Sequence, residues 1–476
     1  MLLAMRIDRL TIRNFKGFEE RSFEFPRSVD APPGGNGSFH VLIGQNGRGK
    51  TSVLDALSVA AGSWLLGVPG QDARGIQPTD IRVRVIDFDK TQRIERQLPV
   101  EVRATGVVSG QSLTWSRELK TQRTSSANAR AIKAASERAV KAVQAGDETL
   151  LPIVAYYGTA RLWLSTPTDV YRQREREHID QHIEEMRGVG HPEYLELDLS
   201  GRFASRLDGY RHGVDPRCSP AELLSWLRFE QLIALTEGAE SPQLAAVKRV
   251  ITESVEGCKK LEVHPRLGLL IDIEGQPRLP FAALSDGQRN VVALVGDLAY
   301  RAAQLTPHLG EEAPKKPPGV VLIDELDLHL HPRWQRHVVE DLRRLFPEVQ
   351  FITTTHSPFI VQAARTGEVI ALDDEVVTVP ETSTLGIEQI AQGLMQVPAP
   401  EVGLRYKSMV DVAKRYLERL DAAALAPDKS LPHLVRQLDQ AVAPFSDNPA
   451  FQAMLELNRE VKLGKRLRAV KEGSTS

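Results

Sequence analysis

The chain has 476 residues, enough for two or three domains with a sizeable core, and its 42% apolar and 26% charged content is that of a soluble globular protein. A net charge of −2 excludes a global field for nucleic acid, so DNA contact would need a local basic patch. Cys218 and Cys258 are too few for a disulfide framework or a cysteine zinc site, and no apolar stretch approaches the ~20 residues of a membrane span. The opening Met1-Leu2-Leu3-Ala4-Met5 is too short for a signal-peptide core before Arg6. A cytoplasmic protein with no membrane contact is the expectation.

Residues 5–43 read as a strand-rich lead-in, with a Pro/Gly loop at 31–37. The apolar run Val41-Leu42-Ile43 then feeds Gly44-Gln45-Asn46-Gly47-Arg48-Gly49-Lys50-Thr51, and Ser52 to Leu57 continues at helical spacing. A strand, a Gly-rich turn and a helix start form the context in which a phosphate-binding P-loop is believed. Glycines let successive N–H groups converge on a β-phosphate, and the helix terminus adds its positive dipole end. In that pattern Lys50 reaches the β/γ-phosphates of ATP and Thr51 ligates Mg²⁺. Gln77, further on, is a candidate for sensing that metal and its water; an ordinary loop glutamine is the competing reading.

Residues 81–119 carry β-rich segments at 81–88, 100–108 and 112–119, 125–148 reads as an Ala-rich exposed helix, and 152–157 as a buried strand. From 161 to 256 the character turns helical: Arg172–His178 is a mixed-charge run, and Ala221–Leu235 places Leu223, Leu224, Leu227 and Leu232 near one face. Short strands at 261–263 and 267–273 precede Leu284-Ser285-Asp286-Gly287-Gln288 and a helix with Val291, Leu294, Val295, Leu298 and Ala302 in a buried stripe. Val320-Val321-Leu322-Ile323 is a buried parallel strand delivering Asp324 and Glu325 at its C-terminal end. Asp324 suits the Mg²⁺-holding partner of the P-loop, and Glu325 suits orientation or deprotonation of the attacking water. Residues 334–346 read as helix, 350–356 as a strand ending in His356, and the chain beyond 380 as helical with a basic end at 459–471.

The segment 284–288 resembles the signature motif of ABC-type ATPases, usually LSGGQ. Leu326-Asp327 resembles their D-loop and His356 their switch histidine. In that family two heads pair head-to-tail, each P-loop opposed by the partner's signature. The resemblance therefore implies a homodimer or higher oligomer in which Ser285, Gly287 and Gln288 contact a nucleotide held by another copy. Asp286 stands where glycine is usual, and an acid beside a γ-phosphate repels it unless the side chain turns outward; the same substitution occurs among SMC-type relatives.

Ile12-Arg13-Asn14-Phe15-Lys16-Gly17-Phe18 resembles the N-terminal hallmark of RecF, SMC and OLD-type ATPases, and Asp324 to Pro332 with Gln335 resembles their extended Walker B. Residues 155–163, 206–210 and 448–455 resemble the ATPase subunit, PtuA, of Septu anti-phage systems, including retron-linked versions. The fold this implies is α/β: an ABC-type, SMC-head-like P-loop NTPase with a mixed sheet core. Its lobes would be 1–160 and 257–380, with a helical insertion at 161–256 and a helical extension at 381–476. The function implied is an ATPase regulating an HNH-type nuclease partner. A RecF-like DNA-binding factor and a nucleotide sensor with little turnover are the alternatives. His329 and His331, two residues apart and so pointing oppositely on a strand, read as structural rather than as a metal pair. Arg161 has phosphate contact and, as the commoner outcome, a surface ion pair as its competing readings. Tyr156 and Tyr157 read as core.

Overall fold

The computed structural model describes residues 5–27, 37–88, 91–162, 205–216, 220–264, 267–373, 379, 381–397 and 404–425, with 433, 436, 439–440, 443, 451 and 453–462 beyond. The charge run Arg172–His178, Cys218, most of the loop at 31–37 and of the basic end at 459–471, and half of the stretch at 448–455 lie outside the described residues. The chain divides into two units, Met1–Gln396 and Val397–Ser476.

In the first unit, five parallel strands form a sheet ordered Val369–Ala371, Ser38–Ile43, Val349–Thr354, Gly319–Ile323, Ile153–Tyr157. Ser38–Ile43, Val349–Thr354, Gly319–Ile323 and Ile153–Tyr157 are buried along their whole length, as strands of a parallel sheet covered on both faces are. Their register aligns the C-terminal ends, with Ile323 opposite both Thr353 and Tyr157. Ligands of open α/β sheets lie in the crevice outside those ends.

An antiparallel sheet, ordered Phe18–Glu24, Met5–Phe15, Val100–Val108, Gln111–Leu119, Thr124–Ser125, packs its alternating apolar face into the same core. Its register shifts between Ile7 and Arg9. There the Gln350 amide accepts from Ile7 N (2.8 Å) and donates to Ile7 O (2.7 Å), so the irregularity docks the two sheets together. A hairpin, Val83–Phe88 with Thr91–Arg96, adds a strand that the β-rich pattern at 81–119 left unread.

The Ala-rich helix is shorter than 125–148 and is not wholly exposed. It spans Arg130–Gln144 and buries Ile132, Ala135, Ser136, Ala139 and Val140. Its small residues permit close approach: a Cβ on Gly67 would sit 2.1 Å from Ser136 Oγ. In the 161–256 region, helices Ala221–Glu237 and Pro242–Ser254 pack against Asp286–Leu305. Gly296 marks the contact, since a Cβ there would meet Leu223 and Ile251 carbons. Leu223 and Leu227 are buried as the leucine stripe requires, whereas Leu232 is exposed. In the second unit, the helix Leu404–Leu425 buries Tyr416 and Leu420, and Phe451 and Leu455 are buried as well.

Candidate functional site

The P-loop is shaped by glycines. Gly47 (φ 81°) and Gly49 (φ 93°) occupy the left-handed region, and a Cβ on Gly49 would lie 2.5 Å from the Phe18 ring. Gly49 caps the helix Lys50–Ala61 without any side-chain bond, so the first N–H groups stay open to an anion. Lys50 folds over its own loop, donating to Gly44 O (2.7 Å) and Gln45 O (3.3 Å). Burial lowers its pKa, against the pull of Asp324 and neighbouring carboxylates. Behind the loop, Asp373 accepts from Gln45 N (3.0 Å) and pairs with Arg48 (2.8 Å), an anchor that no motif announced.

A cavity of about 240 Å³ opens over the loop. Asn46, Gly47, Gly49, Lys50, Thr51 and Ser52 line one side; Asp324, Glu325, Thr354 and His356 line the other. Thr51 Oγ1 donates to Asp324 Oδ2 at 2.9 Å, and Thr354 Oγ1 donates to Asp324 Oδ1 at 2.6 Å. Thr354 also accepts from Glu325 N at 2.7 Å. It sits on the strand between the P-loop strand and the acid-bearing strand, and the run Thr353-Thr354-Thr355 at that strand's end was the signal available for it. A threonine hydroxyl beside a carboxylate is a hard oxygen pair suited to Mg²⁺.

Glu325 has φ 48°, a left-handed conformation that costs a non-glycine residue roughly 1 kcal/mol or more and needs support around it. Residues 325–331 turn rather than continue as a strand: Leu328 N donates to Glu325 O and Leu330 N to Asp327 O. Asp327 accepts from Thr355 Oγ1 (2.6 Å) and His356 N (3.1 Å), joining the two loops. Gln335 accepts from Ser357 Oγ (2.7 Å) and donates to Leu330 O (2.8 Å). Among the described residues, no group of three or more His, Cys, Asp and Glu is placed to hold a metal, so His329 and His331 form no such centre.

Two expectations need correction. Gln77 does not line the cavity: its side chain is spent on Gly75 O (3.2 Å), at the entry to the short turn Pro78–Asp80. Arg161 is not a surface ion pair. It is 2% exposed and donates to Gly158 O, Asp324 O, Glu325 O and Asn290 Oδ1. Burial lowers its pKa to about 10, leaving it charged at neutral pH. Tyr156 and Tyr157 are buried, and Tyr157 bonds Asp297 (2.7 Å).

Ser285, Gly287 and Gln288 are not part of this cavity. Ser285 is the exposed N-cap of Asp286–Leu305, its Oγ accepting from Gln288 N while Gln288 Oε1 accepts from Ser285 N. The Asp286 side chain is exposed and pairs with Arg289. Gly287 lies so close to the 325–331 turn that a Cβ would be 2.7 Å from His329 O.

Residues 39–362 match the family described as "AAA domain, putative AbiEii toxin, Type IV TA system". The chain is 23% identical over 381 residues to the Retron Vc95 probable ATPase of Vibrio cholerae serotype O1 biovar El Tor, covering 70% of this chain and 68% of that protein. It is 42% identical over 99 residues to the Retron Ec83 probable ATPase of Escherichia coli, covering 21% and 18%. It is 39% identical over 92 residues to the Septu protein PtuA of Bacillus thuringiensis, covering 19% and 23%. The chain thus spans about two thirds of the first relative and less than a quarter of the other two. Among solved structures, the SMC head domain from Thermotoga maritima matches at 16% identity and TM-score 0.36, over 79% of this chain and 97% of that one. The family match runs from the P-loop strand through both acids to His356 and covers more than half of the chain; this protein belongs to that AAA-domain family and is an ATPase.

Proposed function

We propose that the cavity binds ATP with Mg²⁺, that a second copy completes it head-to-tail, and that the nucleotide state controls a partner nuclease of the HNH type in anti-phage defence. The observation that carries the site is the Thr51–Asp324 contact at 2.9 Å, which joins a P-loop hydroxyl to a strand-end carboxylate. Gly44 to Ser52 cradle the phosphates, and Lys50 leaves its loop carbonyls for the β/γ-phosphate oxygens, exchanging neutral acceptors for charged ones. Thr51 and Asp324 hold the metal, which when bound neutralises charge on the phosphates. Glu325 orients the attacking water and takes its proton, and His356, which lines the same side of the cavity, addresses the γ-phosphate. Ser285 and Gly287 present an anion-seeking helix terminus toward the partner's nucleotide, with Gln288 fixing the Ser285 hydroxyl.

The support for the wider role is the naming of the relatives as retron ATPases and a Septu protein, together with the resemblance of residues 155–163 and 206–210 to Septu ATPase subunits. The purified chain should hydrolyse ATP, leave DNA uncut in the presence of Mg²⁺, and lose protection against phage on Lys50→Ala when expressed with its nuclease. Metal-dependent DNA cleavage by the chain alone contradicts this division of labour.

A further inference from the structure

Arg161 and Asn290 are 2% and 1% exposed, as deep as core leucines. A guanidinium is buried at a cost of several kcal/mol unless its donors are met. Arg161 meets them on the backbone of the catalytic loop: Nη1 donates to Asp324 O (2.7 Å) and Gly158 O (3.0 Å), and Nη2 donates to Glu325 O (3.0 Å). Nε donates to Asn290 Oδ1 (2.8 Å), and Asn290 Nδ2 continues to Leu328 O (2.7 Å). The acceptors at 324, 325 and 328 are carbonyls, so the contact fixes the path of the chain rather than any side chain. That path includes Glu325 in its left-handed conformation, which a planar fork gripping two successive carbonyls is suited to hold.

Asn290 stands on the helix that Ser285 caps, five residues inside it or ~7.5 Å along its axis. A single side-chain pair therefore links the N-terminus of that helix to Glu325. We propose that Arg161 and Asn290 are positioning residues of the hydrolysis reaction, clamping residues 324–328 so that Glu325 faces the water and tying that posture to the Ser285-capped helix. The proposal rests on Glu325 as the group that activates water. Movement of the helix when Ser285 meets a partner's nucleotide is then passed through Asn290 and Arg161 to the base, and turnover becomes sensitive to pairing.

The test uses Arg161→Lys and Asn290→Asp in the full chain. Lysine keeps the charge but loses the fork; aspartate keeps an acceptor for Arg161 but loses donation to Leu328 O. Misplacing a reacting group by about 1 Å costs on the order of 10²-fold, so kcat should fall ~10- to 100-fold in each. The Kd for a fluorescent ATP analogue should stay within about threefold, because the cradle itself is untouched. In a Glu325→Gln background, either substitution should leave the residual rate within about twofold, since the clamp has no base left to aim. Parental kcat in a folded variant, a loss that multiplies with that of Glu325→Gln, or a Kd that weakens as much as kcat falls would each overturn the clamp. Asn290→Asp carries the test if Arg161→Lys lowers the folded fraction. Glu325→Gln at the parental rate overturns the base assignment beneath it; a slow Glu325→Gln beside parental clamp variants overturns the clamp alone.

Discussion

The two residues Asp324 and Glu325 face two unlike regions at once. Their side chains line the cavity with loop residues such as Asn46 and Gly47, which are exposed, and with a lysine that bonds its own loop carbonyls. Their carbonyls are held by Arg161 in a buried polar array that runs on through Asn290 to the helix Asp286–Leu305. Seven residues further along that helix, Asp297 receives Tyr157 and Arg301, and Arg301 reaches Gly209 O and Arg211 O. Polar groups meant for a ligand line the cavity and bond one another or their own loop, whereas groups that set geometry are buried against backbone carbonyls, where a low dielectric strengthens each bond. Two of the stretches that resemble Septu ATPase subunits, 155–163 and 206–210, contribute to the buried side.

Substitutions on the open side should change chemistry and spare stability; those on the buried side should do the reverse or act on kcat alone. The largest effect is expected from Lys50→Ala, which should raise the Kd for ATP beyond ~100-fold, since charge-assisted bonds to phosphate are the strong ones; calorimetric titration reads it. Glu325→Gln comes next: ATP binding kept, turnover down ~10²-fold or more, measured as phosphate release. On the buried side, Asp297→Ala leaves Arg301, 1% exposed, without that carboxylate and should cost about 3–5 kcal/mol in urea unfolding. A loss below ~1 kcal/mol there would break the contrast. Gln77→Ala should do least, within ~0.5 kcal/mol and about twofold in rate, because its exposed side chain serves only its own turn.

What the sequence made legible follows the same division. A P-loop is a contiguous run with a strand before it and a helix after it, and Asp324-Glu325 ends an apolar run, so both could be read from spacing. The core strands at 153–157 and 319–323 were equally plain as apolar segments, whereas the one at 349–354, which carries Gln350, Thr353 and Thr354, was legible from its β-branched and aromatic residues. Arg161 was not, because its partners are backbone carbonyls, which leave no trace in residue identity. Thr354 and Asp373 escaped for a related reason: each acts across strands far apart in sequence, on Asp324 and on the P-loop respectively. His329 and His331 were set on a strand, where a turn with His329 at φ 60° stands instead; periodicity cannot report positive φ at a histidine. The hairpin partner Thr91–Arg96 was missed because its residues are mostly polar and exposed, without an alternating apolar face.

The account depends most on the cradle being half a site, with Ser285 exposed at a helix terminus and absent from the cavity of its own chain. Sedimentation velocity of Glu325→Gln with saturating Mg²⁺ and ATP measures this directly. The expected result is an ATP-dependent dimer or larger even-numbered species, which Ser285→Arg reverts to monomer while ATP binding stays intact. A monomer at saturating ATP, or a dimer indifferent to Ser285→Arg, would contradict it.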